Sequence, residues 1–265
     1  MSIITLLTDF GSQDYFVGAM KGVIFSINPS AQIVDITHEV QPHDIQAAAF
    51  NLLAAYPAFP AGTIHLAVVD PGVGSQRRPL AIECAGQFFV GPDNGIFSWI
   101  CEREGNSRVI HLLNEKFFHQ PVSSTFHGRD IFAPIAAALS KGLAVEELGE
   151  PLSDYVGLES LALKRRTDGQ AEARIIHIDR FGNCVTNLTR EHLSEEWFAG
   201  GARLSVNGQE VSGARRFFAE SATEQNELFA VFGSAGFLEI AAQNASAASI
   251  IKARCGDAVL LISGP

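Results

Sequence analysis

The chain has 265 residues, 47% of them apolar and 18% charged, enough for one large domain or two ordinary ones with a sizeable core. Its net charge is −10, and basic residues cluster only at Arg77-Arg78, Lys164-Arg165-Arg166 and Arg215-Arg216, which argues against nucleic acid or an anionic membrane as a partner. The opening MSIITLLTDFG lacks the basic start and apolar length of a signal peptide, and no stretch approaches the roughly 20 apolar residues of a membrane helix, so a cytoplasmic protein is expected.

Residues Ile3 to Leu7 form an apolar run ended by Thr8-Asp9-Phe10-Gly11, after which Phe16, Ala19, Met20, Val23, Ile24 and Ile27 fall at helical spacing. Asn28-Pro29 stops that helix, and Gln32 to Thr37 reads as a second strand. Asp44 then stands as the N-cap of a helix whose apolar face is Ile45, Ala48, Ala49, Leu52, Leu53 and Tyr56. A third strand, Thr63 to Val69, completes a β-α-β-α-β alternation, which predicts a parallel sheet with right-handed crossovers. Asp9 and Asp70 then lie at the carboxyl ends of parallel strands, where ligands bind in open α/β sheets.

Pro79 to Cys84 and Gln87 to Val90 read as a hairpin around Ala85-Gly86. A turn at Gly91 to Gly95 leads to a short helix over Ile96 to Glu102 and a strand at Arg108 to Leu113. The polar loop Ser123 to Asp130 precedes a helix with Ile131, Phe132, Ile135, Ala136 and Leu139 on one face. From 151 to 170 the period is lost, which predicts a linker between an α/β domain, 1–150, and a second domain, 171–265. There, short strands at 173–178, 184–188, 203–206, 227–232, 237–242 and 258–262, with a brief helical piece near Arg190 to Trp197, predict a smaller, mainly β, barrel-like domain. Cys84, Cys101, Cys184 and Cys255 form no C-x-x-C pair, so free and mostly buried thiols are expected.

The stretch Val68 to Arg78, VVDPGVGSQRR, presents a carboxylate and a guanidinium on one Gly-containing turn at a strand end. Asp9 could accept two hydrogen bonds from a ribose diol or cap local structure. The G-x-G-x-x-G and Walker A patterns are absent. His38, His43 and Asp44 could be joined with Asp9 and Asp70 into a divalent-metal site for phosphoester hydrolysis, but their spacing matches no strong ligand motif, and no metal is expected. His127 alone would be structural. With Asp70 and Arg77 beside it, it would help to hold and polarise a water. In the second domain Asp179 could pair with an ammonium group and Asn183 could read an adenine edge through its donor and acceptor, or both could simply make an Asx turn. Gly233-Ser234-Ala235-Gly236 could admit a carboxylate to the backbone or make a hairpin.

Taken together, TDFG at 8–11, ITHEVQPHD at 36–44, VVDPGVGSQRR at 68–78, GPDNGIF at 91–97, FHGRDIFAP at 126–134, IDRFGN at 178–183 and GSAGFLEIA at 233–241 resemble the S-adenosyl-L-methionine hydroxide adenosyltransferases, relatives of fluorinases and chlorinases. The resemblance implies an α/β domain followed by a β domain, and a homotrimer with the site at the subunit interface. It also implies cleavage of S-adenosylmethionine by water to adenosine and L-methionine, without a cofactor. It assigns Asp70, Arg77 and His127 to the attacking water or hydroxide. Asp9 and His43 go to the ribose, Asp179 to the methionine ammonium, Asn183 to adenine, Ser234 to the methionine carboxylate, and the backbone around Ala247 to an adenine contact. Ala235 and Phe237 do not offer the arginine that fluorinases place beside the serine matching Ser234. Halogenating relatives replace parts of the water-holding set, and fluorinases add a loop in the first domain, whereas here Asp70, Arg77 and His127 are all present and Asp70 to His127 carries no obvious insertion. Halogenation of the same substrate is therefore the minor alternative, and a non-catalytic adenosine or S-adenosylmethionine sensor is the competing non-enzyme reading.

Overall fold

The computed structural model describes residues 2–165, 171–193, 195–220 and 226–262. They divide into two compact units, Met1–Ser160 and Leu161–Pro265.

The first unit opens with β1 (Ile3–Thr8), α1 (Phe16–Ile27), β2 (Gln32–Thr37), α2 (Ile45–Ala55) and β3 (Ile64–Val68), as the alternation predicts. It continues with β4 (Pro79–Cys84), β5 (Gln87–Pro92), α3 (Ser98–Glu104), β6 (Ser107–Leu112), α4 (Ala133–Ser140) and β7 (Gly149–Pro151). The sheet order is β2-β1-β3-β5-β4-β6-β7. Strands β2, β1, β3 and β5 run parallel, and the expected hairpin of β4 and β5 begins an antiparallel half. Ile4 and Leu6 of β1 join Ile64, Leu66 and Val68 of β3 in one core with Met20 and Ile24 of α1 and Ile135, Ala136 and Leu139 of α4. These strands are apolar almost throughout because helices cover the parallel sheet.

The chain leaves β1 on one side to form β2 and returns on the other to form β3, so the carboxyl ends of β1 and β3 flank a switch point. Thr8 pairs in register with Val68, which sets Asp9 and Asp70 on neighbouring strand ends. Asp44 caps α2 as expected, its Oδ1 accepting from the Ala47 amide at 2.8 Å. The helix expected from Ile96 begins two residues later, because Gly95, at φ 97°, still belongs to the preceding turn.

Residues 151–160, read from sequence as part of a linker, are fastened to the first unit. The Val156 amide donates to Asp93 Oδ1 at 2.8 Å, the Leu158 amide to Ser98 Oγ at 3.0 Å, and Trp99 Nε1 to the Glu159 carbonyl at 2.9 Å. Beyond them, Lys164–Arg165 pairs as β8 within the second unit, and 166–170 lie outside the described residues.

The second unit adds β9 (Ala171–Ile178), β10 (Cys184–Thr189), α5 (Glu195–Ala199), β11 (Arg203–Val206), β12 (Gln209–Val211), β13 (Ala214–Arg215), β14 (Leu228–Phe232), β15 (Phe237–Ala242), α6 (Ala247–Ile251) and β16 (Ala258–Ile262). Apart from β8, which pairs with β9, the sheet runs β12-β11-β16-β9-β10-β15-β14-β13 and curls until β12 approaches β14. Ile175, Leu188, Leu204, Leu238, Ile240 and Val259 fill its concave side. The helix expected near 190–197 sits later, at α5, because Thr189 to His192 forms a hydrogen-bonded turn first; Ser194 lies outside the described residues. Strands β12 and β13 and helix α6 are too short to show a period, and sequence reading passes over them.

Candidate active site

In the first unit, β3 is buried along its whole length and delivers Asp70 at its end. The Asp70 carboxylate is 5% exposed and receives Arg77 in a fork: Nε donates to Oδ1 and Oδ2 at 2.9 Å each, and Nη2 also donates to Oδ2. Such a paired guanidinium–carboxylate fork is both stronger and more rigid than a single hydrogen bond. Arg77 Nη2 continues to His127 Nδ1 at 2.9 Å, so three residues predicted to form one set do meet. The guanidinium carbon lies 5.0 Å from the centre of the Phe132 ring, and Nη1 is buried without a hydrogen-bond partner among the described residues.

A guanidinium only donates, so His127 Nδ1 must accept and the neutral ring carries its proton on Nε2. Burial, then the positive charge of Arg77, lowers the imidazole pKa below its ordinary 6.5. Asp70 and Asp130 oppose that shift without reversing it. The imidazole is therefore neutral at pH 7.

Gly74 explains how the turn reaches the histidine. It stands at φ 77°, and a Cβ there would lie 2.2 Å from the Ser124 carbonyl oxygen. Only glycine combines that backbone with that approach. His127 itself precedes a π-helical turn, Gly128–Phe132, that leads into α4, where the sequence pattern had suggested loop up to Asp130.

Arg78 turns away from this set. It donates to Asp93 Oδ2 through Nε at 2.8 Å and to Asp154 through Nη1 and Nη2, tying the 91–95 turn to the 154–156 segment.

Asp9 Oδ2 accepts from the His43 amide at 2.9 Å, and Oδ1 makes no hydrogen bond among the described residues. His43 is exposed and holds φ 70°, a costly backbone for a residue other than glycine. The Asp9 carboxylate thus fixes the 41–44 loop. The other members of the metal reading are engaged separately: His38 Nδ1 with Thr8 Oγ1 at 2.8 Å, Asp44 with its helix. Among the described residues, no three His, Cys, Asp or Glu side chains converge as a metal-ligand set.

The second unit contains a cavity of 880 Å³ whose lining includes Asp179, Asn183, Phe232, Ser234 and Glu239. Asp179 and Asn183 form an Asx-type turn: Oδ1 accepts from the amides of Phe181 and Asn183 at 2.9 and 2.8 Å, and Oδ2 accepts from Asn183 Nδ2 at 2.8 Å. Asn183 was expected to read a ligand edge with both donor and acceptor. One of its two side-chain N–H donors is committed to Asp179, which leaves the other N–H and the side-chain carbonyl oxygen for a ligand. The turn abuts the start of α6, where the Ala248 amide donates to the Gly182 carbonyl at 2.8 Å. A Cβ on Gly182 would lie 2.0 Å from Ser246 Oγ, and Ala247 is buried beside this junction. Ser234 sits in the expected β14–β15 hairpin, which is closed by the Gly233 amide donating to the Phe237 carbonyl at 2.9 Å.

A family model for the SAM hydroxide adenosyltransferase N-terminal domain matches residues 4–149, and one for the C-terminal domain of the same family matches residues 173–260. The chain belongs to this family. It is 36% identical to an (R)-S-adenosyl-L-methionine hydrolase of Methanocaldococcus jannaschii over 99% of this chain and 96% of that one. It is 35% identical to a protein of the same name from Thermus thermophilus, over 99% of this chain and all of that one. A crystal structure of an uncharacterized conserved protein from Thermotoga maritima superposes with a TM-score of 0.87 and 35% identity, covering 98% of this chain and 99% of that one.

Two residues that shape the candidate site escaped sequence reasoning. Asn94 Nδ2 donates to the Val69 carbonyl at 2.7 Å and so holds the strand end that bears Asp70. Asp130, fully buried, accepts from the Ser123 amide at 2.9 Å and from Arg129 through both carboxylate oxygens, which shapes the loop bearing His127. Burial alone would raise the Asp130 pKa, but Arg129 and Ser123 outweigh it and leave it lowered. Asn94 stands immediately before Gly95 and Asp130 two residues after Gly128, placements that by themselves do not name the backbone groups each one binds.

Proposed function

We propose that the protein hydrolyses S-adenosyl-L-methionine to adenosine and L-methionine, with a water or hydroxide oriented by Asp70, Arg77 and His127 attacking C5′. The observation that carries this reading is the continuous Asp70–Arg77–His127 chain with a buried Arg77 Nη1 left over as a donor. Two donors, Arg77 Nη1–H and His127 Nε2–H, favour a nucleophile carrying negative charge, and Asp70 retains lone pairs to accept its remaining proton.

In the reaction the O–C5′ bond forms as the C5′–S bond breaks. The thioether sulfur keeps the bonding pair, and one proton passes from the water to solvent. Because the leaving group departs neutral, no general acid is needed, and a neutral His127 suits that requirement. A positioned acceptor contributes about 10²–10⁴ in rate, and orientation of the nucleophile in line with the sulfonium supplies much of the rest.

The remaining site residues take the parts their chemistry allows. Asp9 Oδ1 receives the ribose diol, with His43 packed nearby. Asp179 faces the methionine ammonium, the remaining N–H and carbonyl oxygen of the Asn183 side chain and the backbone near Ala247 meet the adenine, and Ser234 meets the methionine carboxylate. The reading extends to a cytoplasmic homotrimer with the site at the subunit interface, for which sedimentation of the purified protein at the mass of three chains is the check. No helix among the described residues is long and apolar enough to cross a membrane.

Turnover in ¹⁸O-labelled water tests the chemistry. Label on the 5′-oxygen of adenosine is the expected result; unlabelled adenosine, or none, refutes it. A 5′-halo-5′-deoxyadenosine product on adding chloride or fluoride would transfer the reading to halogenation.

A further inference from the structure

One charged side chain in the cavity of the second unit has no part in the reading above. Glu239 lies within β15, directly opposite Val185 on β10 and Val231 on β14, so both flanking strands offer it apolar neighbours. Its carboxyl folds back over the hairpin, where a Cβ on Gly233 would come within 1.7 Å of Oε1. Glycine at 233 is therefore a condition for this placement.

Glu239 makes no hydrogen bond or ion pair among the described residues. The other charged side chains lining the cavity are Asp179 and Arg216. Arg216 is turned to Glu220 at 2.8 and 2.7 Å. Of the cations nearby, Arg215 donates to Gln243 and Glu227 at 2.7 and 2.6 Å, and Arg190 lies 4.2 Å from the Phe232 ring centre. The cavity thus shows an excess of acid, and the carboxyl with no protein partner is the one on β15.

Resting on the hydrolase reading, we propose that Glu239 is a second acidic contact, with Asp179, for the α-ammonium group of S-adenosylmethionine. The ammonium is the cation that fits, since it carries three N–H donors, whereas a sulfonium has no proton to donate to a carboxylate. Burial, reinforced by the negative charge of Asp179, pushes the Glu239 carboxyl up to about 7. In the free protein near neutrality a large share of Glu239 is therefore protonated. An entering ammonium favours the carboxylate, and the displaced proton passes to solvent without any other bond changing. Substrate binding then weakens as pH falls below 7, by about tenfold between pH 8 and pH 6.

The test is the Michaelis constant for S-adenosylmethionine, read from adenosine formation between pH 6 and pH 8. The expected wild-type KM rises about tenfold on going to pH 6. Glu239→Gln, which keeps the shape and removes the charge, should raise KM at pH 8 and make it independent of pH. Gly233→Ala, which drives the carboxyl from its seat, should flatten the same profile. Parallel KM profiles in the wild type and Glu239→Gln would overturn the role of Glu239 while adenosine formation left the hydrolase reading standing. Absence of adenosine at every pH would overturn both.

Discussion

Asp70 and Glu239 are both carboxylates carried by central strands and drawn away from water, yet they meet opposite surroundings. Asp70 is gripped by an arginine through both oxygens, and that arginine is itself fixed by His127 and the Phe132 ring. Glu239 has valines opposite and a like charge in Asp179 as its electrostatic neighbour. A carboxylate gripped through both oxygens keeps one orientation, which is what the proposed aiming of a nucleophile requires. An unpaired one takes its charge from the ligand that arrives, which makes it responsive in binding and unsuited to aiming.

The contrast predicts unequal damage. Arg77→Ala removes the fork, leaves the Asp70 carboxylate unpaired and frees His127 Nδ1, so turnover should fall by about 10³ or more. Arg78→Ala should hold turnover within about threefold, but leave buried Asp93 without its guanidinium partner and lower stability by about 1–3 kcal/mol in chemical denaturation. Equal losses of turnover in the two variants would mean that the fork is not what distinguishes the first site. Gly74→Ala should come next, costing about 1–3 kcal/mol of stability through its positive φ and the Ser124 carbonyl, together with activity, since the turn would withdraw from the histidine loop.

The smallest effect concerns stability and pH. The Glu239 carboxyl stands at about 7 against an ordinary 4.5, so below pH 4.5 both folded and unfolded chains hold the proton and nothing is lost. Between pH 4.5 and 7 the unfolded chain releases its proton first, and stability declines. Glu239→Gln is free of that decline, so its melting temperature should gain on the wild type across this window and keep a constant lead above it. An unchanged difference between pH 4.5 and 7 would show that the carboxyl is better solvated than its surroundings indicate.

Much of this was legible in the residues. The period of Phe16 to Ile27, the Asp44 cap and the three apolar strands sufficed for the parallel half of the first sheet, and hence for placing Asp9 and Asp70 at adjacent strand ends. That Arg77 rather than Arg78 joins Asp70 rested on family resemblance, since two adjacent arginines are chemically alike and only the course of the turn separates them. Asp130 and Asn94 were missed because each acts on backbone groups far along the chain or across a turn, which no spacing rule reports. For Asp179 and Asn183 an Asx turn and a ligand site were both open, because the two call for the same residue types, and the turn is what the hydrogen bonds show. Glu239 lay within the strand read at 237–242, where a single acid carries no signal of its own. Its neighbours across the sheet, not its own segment, set its surroundings.

The π-helical turn at Gly128–Phe132 carries a consequence for the length of this segment. An α-helix turns about 100° per residue, so the surplus residue in a π turn sets His127 out of phase with the helix that follows. Removing one residue between 128 and 132 would let that segment relax into regular α-helix with the apolar face of α4 undisturbed. The imidazole, however, would rotate away from Arg77 Nη2. A chain shortened there could keep the apolar face of α4 packed while lacking the contact of His127 with Arg77.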